Sequence, residues 1–191
     1  ETQLYLEKFT ALLKSHDSNG RAYFFTSWEG LDYHQGEWTD AITKELDEYE
    51  QIVAEAENIS AANGIDADIE LIPANLALRE LILDIENGQI SGLSQRTDVF
   101  KDDVHMNDIG NYFIASVVFA NIYNRSPEGL TNQIVIQSSG NAVVIEPTLA
   151  LQLQRLAWTV VTDYQVAKAL PGGDNVAPNS AVLTPFNLQT I

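Results

Sequence analysis

The sequence predicts an α/β fold in which helices pack on a small parallel sheet. Two apolar runs of strand length, AYFFTS at 22–27 and ADIELIPA at 67–74, are separated by a long segment with helical periodicity. Further helical patterns precede the first run and follow the second. This alternation is typical of parallel strands, because each connection between them must cross over, usually through a helix.

The first half of the chain alternates helix and strand. Apolar residues at roughly helical spacing predict a helix over 2–14, and HDSNG at 16–20 is typical of a turn. The pattern over 38–63 predicts a long amphipathic helix that Gly64 ends. The apolar positions of these two helices are Leu4, Phe9, Leu12 and Leu13 in the first, and Ile42, Leu46, Tyr49, Val53 and Ala56 in the second. The acidic residues between 45 and 57 should form a solvated face of the second helix.

The middle of the chain continues the same alternation. Pro73 should close the second strand, because proline cannot donate to a strand ladder. A helix is predicted over 75–86, before Asn87–Gly88. Another is predicted over 108–124; it is apolar on most faces, so we expect it to be buried.

The last third adds a different pattern. QIVIQSSGNAVVIEP at 133–147 is strand, turn and strand, which predicts a β-hairpin near 133–146. Pro147 then suits the first position of a last helix. The stripe of that helix is Leu149, Leu153, Leu156, Val160 and Tyr164, and we expect Trp158 to lie in the core. Residues 1–170 are therefore interpreted as one domain, and 171–191, rich in Pro, Gly and Asn, as an irregular tail.

The composition excludes several classes of function. Ten basic and 27 acidic residues give a net charge of −17, which would repel nucleic acid and anionic lipid surfaces. No apolar run approaches the roughly 20 residues that span a bilayer. The chain has no cysteine, which removes disulfides, thiolate zinc sites and cysteine nucleophiles. We expect no cofactor and no metal site.

The predicted sheet is short of strands. The α/β region supplies two strands, and both are apolar enough to be buried on two faces. Parallel strands covered by helices usually belong to a sheet of about five strands. Two strands leave two unpaired edges, so the sequence indicates that part of the sheet is missing.

KDDVHMNDIGNYF at 101–113 carries the strongest functional pattern, an Asp-x-x-His block formed by Asp102 and His105 and followed by a glycine and an apolar helix. It comes after a strand ending in TSWEG, a helix containing YEQIVAEA and a strand ending in ELIPA, and it precedes SPEGL and LQRLAW. From Arg21 to about Tyr164 the chain resembles the C-terminal half of SGNH/GDSL-type hydrolases, which are serine esterases. The resemblance implies two parallel strands and helices from a flavodoxin-like three-layer α/β/α fold, with the hairpin as an addition.

The resemblance also implies roles for the two residues of the block. His105 would be the general base that takes a proton from a serine hydroxyl and returns it to the leaving alcohol. Asp102 would hold the imidazole through Nδ1–H and stabilise the imidazolium. Asp103 fits less well, because the family spacing is three residues. Without the family context, a capping Asp and a loop histidine are the alternative.

The chain lacks the Gly-Asp-Ser block that carries the nucleophile of this family. The blocks that supply the oxyanion-hole Gly and Asn are also absent. In the family these blocks lie on the first three strands, the part of the sheet that is also missing here. We therefore expect the chain to be the second half of a domain, without its own nucleophile.

Other serines are weaker candidates for that nucleophile. Ser27 lies at a strand end, but TSWEG is not a Gly-x-Ser-x-Gly elbow. Ser138 and Ser139 belong to a hairpin turn, and Ser126 to a turn that ends a helix. These serines are better explained as turn or strand-end residues.

Trp28, Glu29 and Tyr33 follow the carboxyl end of a strand, where α/β folds bind ligands. They are candidates for lining a substrate cleft, with simple loop packing as the alternative. His16 and His34 are expected in polar loops, and HDSNG lacks the carboxylates of a calcium loop.

The predicted function is the C-terminal portion of an SGNH-type serine esterase or acetylesterase, secreted or periplasmic. Its substrates would be small esters or acetylated carbohydrates. Activity would need an N-terminal half, supplied by a separate chain, a cleaved precursor or a missing segment. The alternative is a non-catalytic assembly or binding protein that keeps this partial fold and pairs with a partner through its open sheet edge.

Overall fold

A computed structural model describes residues 1–33, 37–135 and 140–169. It contains, in chain order, α1 (Thr2–His16), β1 (Ala22–Phe25), α2 (Trp38–Ala62), β2 (Ile69–Ile72), α3 (Ala74–Glu86), a 3-10 helix (Arg96–Val99), α4 (Asp108–Tyr123), β3 (Gln133–Val135), β4 (Ala142–Val144) and α5 (Pro147–Ala169). The α/β class predicted from the sequence is confirmed. β2 is shorter than the apolar run at 67–74 that predicted it.

The strands β1 and β2 pair in parallel, with Phe24 opposite Leu71. Alternate side chains of a strand point to opposite faces of the sheet. On one face Phe24 packs edge-on against Tyr49 of α2. On the other face Glu70 accepts a hydrogen bond from Asn121 of α4 at 3.3 Å. The sheet therefore lies between α2 and α4, in a layered arrangement.

The outer edge of β1 is open in the part of the chain that the structure describes. Ala22 donates its N–H to Asp68 of the segment that leads into β2, and Thr26 donates to Ile72. Backbone groups of successive residues point to opposite edges, so those of Tyr23 and Phe25 face away from β2. No described strand pairs with them. This edge agrees with the two-stranded sheet that the sequence predicts.

The expectation that β1 is buried on both faces is wrong. Its side chains are only partly buried, and 41% of Phe25 is exposed. Phe25 points to the face of the sheet that α4 covers at β2. At β1 that face has no such cover among the described elements, and Phe25 packs edge-on against Trp28.

The first helix forms as predicted, but of its four predicted apolar positions only Leu13 is partly buried, and the other three face outward. Leu4, Phe9 and Leu12 are 48%, 71% and 58% exposed, whereas Glu7 and Thr10 are buried. α1 packs mainly against α2, and Glu7 accepts a hydrogen bond from Asn63 at the end of that helix. The position of α1 in the fold therefore leaves an apolar helix face uncovered.

The remaining elements agree closely with the sequence. Gly64 and Gly88 adopt positive φ where α2 and α3 end, a conformation that glycine adopts without strain. β3 and β4 form the predicted antiparallel hairpin, and Pro147 begins α5. The predicted stripes of α2 and α5 contribute to one core, against which Trp158 is partly buried rather than fully.

α4 is buried along most of its length, as its composition predicts, but its last turn is exposed at Tyr123. Ser138, Ser139, His34 and the predicted tail lie outside the described residues.

Candidate functional site

The loop between the 3-10 helix and α4 carries the Asp-x-x-His block. Its two ends meet, because Phe100 and Met106 form an antiparallel bridge. Inside the bridge Lys101 donates its N–H to the carbonyl of His105 at 2.7 Å. Asp102 and His105 are therefore held in one tightly closed loop.

The structure brings the two side chains of the block together. Nδ1 of His105 lies 2.9 Å from Oδ2 and 3.0 Å from Oδ1 of Asp102. With Nδ1 engaged by the carboxylate, Nε2 is left as the proton-accepting nitrogen. No described residue makes a hydrogen bond to Nε2, and 75% of the His105 side chain is exposed. The arrangement can orient an imidazole and stabilise its positive charge, which is what a general base requires.

Asp102 also shapes the loop itself. Its Oδ1 accepts the backbone N–H of His105 at 2.7 Å and that of Val104 at 3.1 Å. These two backbone bonds, first that of His105, lower the pKa of Asp102 from 3.8 to about 2, with a smaller contribution from the imidazole. Asp102 is therefore both a turn-closing carboxylate and the partner of the imidazole.

The low pKa of Asp102 has a defined consequence for stability. A carboxyl group whose pKa is lower in the folded chain stabilises the fold fully above its ordinary value of 3.8. That contribution is lost as the pH falls through the folded value of about 2. The closed loop should therefore keep its geometry across the neutral and mildly acidic range.

In His105→Ala we expect the pKa of Asp102 to stay well below 3.8, because alanine keeps the backbone N–H that is the largest cause of the shift. Carboxyl ¹³C shifts of Asp102, followed by NMR over the acid range in which the chain stays folded, measure this. A return to about 3.8 in the variant would show that the imidazole, and not the backbone, is the main partner.

The start of α4 fixes the C-terminal side of the loop. Asn107 is the N-cap of this helix, and its Oδ1 accepts the N–H groups of Ile109 and Gly110 at 3.0 and 3.2 Å. A Cβ on Gly110 would clash with the carbonyl oxygen of Val99 and with Sδ of Met106. The glycine that follows the Asp-x-x-His block is therefore needed for close packing of α4 on the 3-10 helix.

The segment that follows β1 makes hydrogen bonds to the loop that carries the Asp-x-x-His block. Trp28 donates its indole N–H to the carbonyl of Val104 at 2.9 Å, and Leu31 donates its N–H to the carbonyl of Asp103 at 2.8 Å. Glu29 accepts the indole N–H of Trp38 through its carbonyl. Tyr33 is 72% exposed. Trp28 thus packs beside the Asp-x-x-His block, and substrate binding by these three residues stays a prediction.

The serines and the other histidine of the described chain lie elsewhere. Ser27 Oγ is 2.7 Å from the hydroxyl of Tyr49, on the α2 side of the sheet. Ser126 accepts the N–H of Glu128 in the turn after α4. His16 was expected in a loop, but it is the last residue of α1. No described serine makes a hydrogen bond to His105.

Sequence reasoning missed two parts of this site. The bond from Trp28 to Val104 joins residues 76 positions apart, and a sequence pattern carries no signal for it. The N-cap role of Asn107 had a usable signal, since Asn directly before a predicted helix start is typical of a cap.

Searches for a metal site and for a membrane-spanning helix among the described residues, and for similar proteins, found none. Among the described residues no group of three or more His, Asp and Glu side chains is arranged to hold a metal ion. None of the described helices is long and apolar enough to cross a membrane. No protein-family model, curated protein or solved structure matches the chain.

Proposed function

We propose that this chain is the C-terminal portion of an SGNH-type serine ester hydrolase and contributes the acid and base members of its triad. The observation that carries the proposal is the contact between Nδ1 of His105 and the carboxylate of Asp102, which leaves Nε2 without a hydrogen bond to any described residue. The block also has the place along the chain that the resemblance requires, after β2 and α3 and directly before α4.

The chemistry follows from the two side chains and from a serine on the completing segment. Nε2 of His105 takes the serine proton while the serine oxygen attacks the ester carbonyl and forms a tetrahedral intermediate. When the intermediate collapses, the bond to the alcohol oxygen breaks and the imidazolium returns the proton to it. Water, deprotonated by His105, then attacks the acyl-serine, and the bond between the acyl group and the serine oxygen breaks as the imidazolium returns the proton to that oxygen. Asp102 stays ionised throughout, which its low pKa favours.

The open edge of β1 supports a completing segment. In the proposed enzyme the missing strands add to this edge and bring the serine and the oxyanion-hole donors to the site. The large exposure of His105 and Asp102, 75% and 47% of their side chains, is what a site without its other half would show. Substrates are small esters or acetylated carbohydrates, and the strong acidity favours a secreted or periplasmic location.

The chain alone is expected to hydrolyse p-nitrophenyl acetate no faster than its His105→Ala variant, because no described serine contacts His105. Initial rates of the two proteins, corrected for the uncatalysed reaction, measure this. A clear His105-dependent rate from the pure chain would instead require a nucleophile within this chain, and Ser27 and Ser138 would then be replaced in turn.

A second candidate function is a non-catalytic assembly or binding protein. The same open edge favours it, because an unpaired parallel strand can bind a partner through backbone hydrogen bonds alone. The natural protein, isolated with any chain that co-purifies, separates the two candidates. A completing segment that contains a Gly-Asp-Ser block supports the esterase, and one without a serine nucleophile supports the binding protein.

A further inference from the structure

Two consecutive peptide groups of the loop that carries the Asp-x-x-His block are hydrogen-bonded at both ends. The N–H groups of Val104 and His105 donate to Oδ1 of Asp102, at 3.1 and 2.7 Å. The carbonyls of the same two peptide groups, those of Asp103 and Val104, accept from the segment that follows β1. The C=O and N–H of a trans peptide group point in opposite directions. The loop is therefore held between its own carboxylate on one side and the segment after β1 on the other.

The two donors of that segment differ in what they require of the sequence. Leu31 donates its backbone N–H to the carbonyl of Asp103 at 2.8 Å, a bond that any residue except proline could make. Trp28 donates its indole N–H to the carbonyl of Val104 at 2.9 Å, and tryptophan is the side chain that carries an N–H on a large, rigid apolar ring. The hold on the peptide group between Val104 and His105 therefore depends on the identity of Trp28.

Trp28 is itself held in place by packing. Its side chain is partly buried, and its ring lies edge-on to that of Phe25, with 6.2 Å between the ring centroids. The segment also lies close against the loop, since a Cβ on Gly30 would come within 3.0 Å of Oδ2 of Asp103. A side chain that packing already orders loses little further freedom when it makes a hydrogen bond. The indole can thus hold the loop at one geometry.

We infer that Trp28 is a positioning residue of the proposed active site. By holding the peptide group between Val104 and His105, its indole N–H directs the backbone N–H of His105 at Asp102 and so places Nδ1 of the imidazole at the carboxylate. The consequence for catalysis rests on the proposed esterase function, whereas the hydrogen bonds are present in the chain alone. Trp28 acts through the loop and does not need to touch the substrate.

Trp28→Phe removes the indole N–H and keeps an aromatic ring to pack on Phe25. In mildly alkaline solution, where histidine side chains are ordinarily neutral, ¹⁵N NMR of the ring nitrogens measures which tautomer His105 adopts. In the unchanged chain we expect mainly the Nδ1–H form, because Asp102 accepts that proton. In Trp28→Phe the ratio of the Nδ1–H form to the Nε2–H form should fall about fivefold, the factor that corresponds to one lost neutral hydrogen bond.

Two controls separate this effect from a general loss of stability. His16, the last residue of α1, reports in the same spectra and should keep its tautomer ratio. Trp158→Phe makes the same substitution on α5, where the indole makes no hydrogen bond to the described loop, and should leave the ratio of His105 unchanged. An unchanged His105 ratio in Trp28→Phe, or an equal fall in Trp158→Phe, would overturn the inference.

Asp102→Asn gives a second measurement that needs no change at Trp28. The asparagine amide accepts the two backbone N–H groups more weakly than a carboxylate does, so the peptide group between Val104 and His105 is less firmly held. The indole proton of Trp28 should then exchange with solvent faster, roughly twofold or more. That of Trp38, which donates to the carbonyl of Glu29, should exchange at the same rate as before. Equal exchange of the Trp28 proton in both proteins would contradict the inference.

The completed assembly separates positioning from substrate binding and from the proposed function itself. Trp28→Phe should lower kcat about fivefold with little change in KM, because the substitution disturbs the base and not the binding of the ester. A rise in KM at unchanged kcat would show that Trp28 binds substrate and would refute the positioning role alone. A change of tautomer in Trp28→Phe, together with no esterase activity in the unchanged assembly, would refute the proposed function alone.

Discussion

In the assembly that contains the completing segment, His105→Ala is expected to remove most of the ester hydrolysis. The variant has no imidazole to take the serine proton, and no described residue makes a hydrogen bond to Nε2 that could replace it. Asp102→Asn should lower kcat by a factor on the order of 10⁴, the size of the corresponding loss in a well-studied triad, because asparagine favours the wrong imidazole tautomer. Initial rates on p-nitrophenyl esters measure both losses.

Asp103→Asn is the matched control for these variants. Asp103 is the neighbour of Asp102, and its carbonyl accepts the N–H of Leu31, a bond that the substitution keeps. Its side chain makes no hydrogen bond to His105. Asp103→Asn should therefore retain nearly full activity. Equal losses in Asp102→Asn and Asp103→Asn would mean that general loss of negative charge, and not the contact with Nδ1, controls the rate.

The pH dependence of ester hydrolysis gives a second test of the role of Asp102. Asp102 remains ionised far below neutral pH, since its pKa is about 2. The acid limb of kcat/KM should therefore not report the protonation of the Asp102 carboxylate.

Much of the fold could be predicted because it depends on local patterns. Helices and strands alternate along the chain, and their ends are marked by Pro73, Gly64 and Gly88. The structure places the ends of those elements close to the predictions. The contact between Asp102 and His105 is also local, since His105 is three positions after Asp102. A short loop that closes on itself brings such a pair together without help from distant elements.

Other features could not be predicted because they depend on which elements stand next to each other. The spacing of Leu4, Phe9 and Leu12 predicts a helix, but it does not show that α2 packs against the opposite side of that helix. Likewise, Phe25 is apolar enough for a core position, and only the lack of a covering element among the described residues leaves it exposed. Burial is a property of the assembled fold and cannot be read from one segment.

These two exposed features follow each other along the chain. The apolar face of α1, formed by Leu4, Tyr5, Phe9 and Leu12, precedes the open strand β1. An exposed apolar helix face and an unpaired strand are each unfavourable in water and promote association. The net charge of −17 opposes association of two identical chains, because both carry it. It opposes association with a less acidic segment only partly. A complementary segment is therefore favoured over a second copy.

The chain is accordingly expected not to be a stable monomer on its own. It should be isolated with a segment that adds a strand to β1 or, failing that, as an oligomer joined through the same edge. Light scattering coupled to size-exclusion chromatography, followed by thermal unfolding, measures both mass and cooperativity. A compact 21.1 kDa species that unfolds cooperatively would refute this expectation. The hairpin would then be the first element to examine for closing the sheet.

The edge itself can be tested at Phe25, whose N–H points away from β2. Phe25→Pro removes that N–H and places a ring on the edge, but it leaves the hydrogen bonds between β1 and β2 intact. Phe25→Ala removes the same aromatic side chain and keeps the N–H. Pairing through the edge predicts that the proline variant loses its partner or oligomer while the alanine variant largely keeps it, as measured by mass at equal concentration. If both variants lose association equally, the exposed ring and not the strand edge holds the partner.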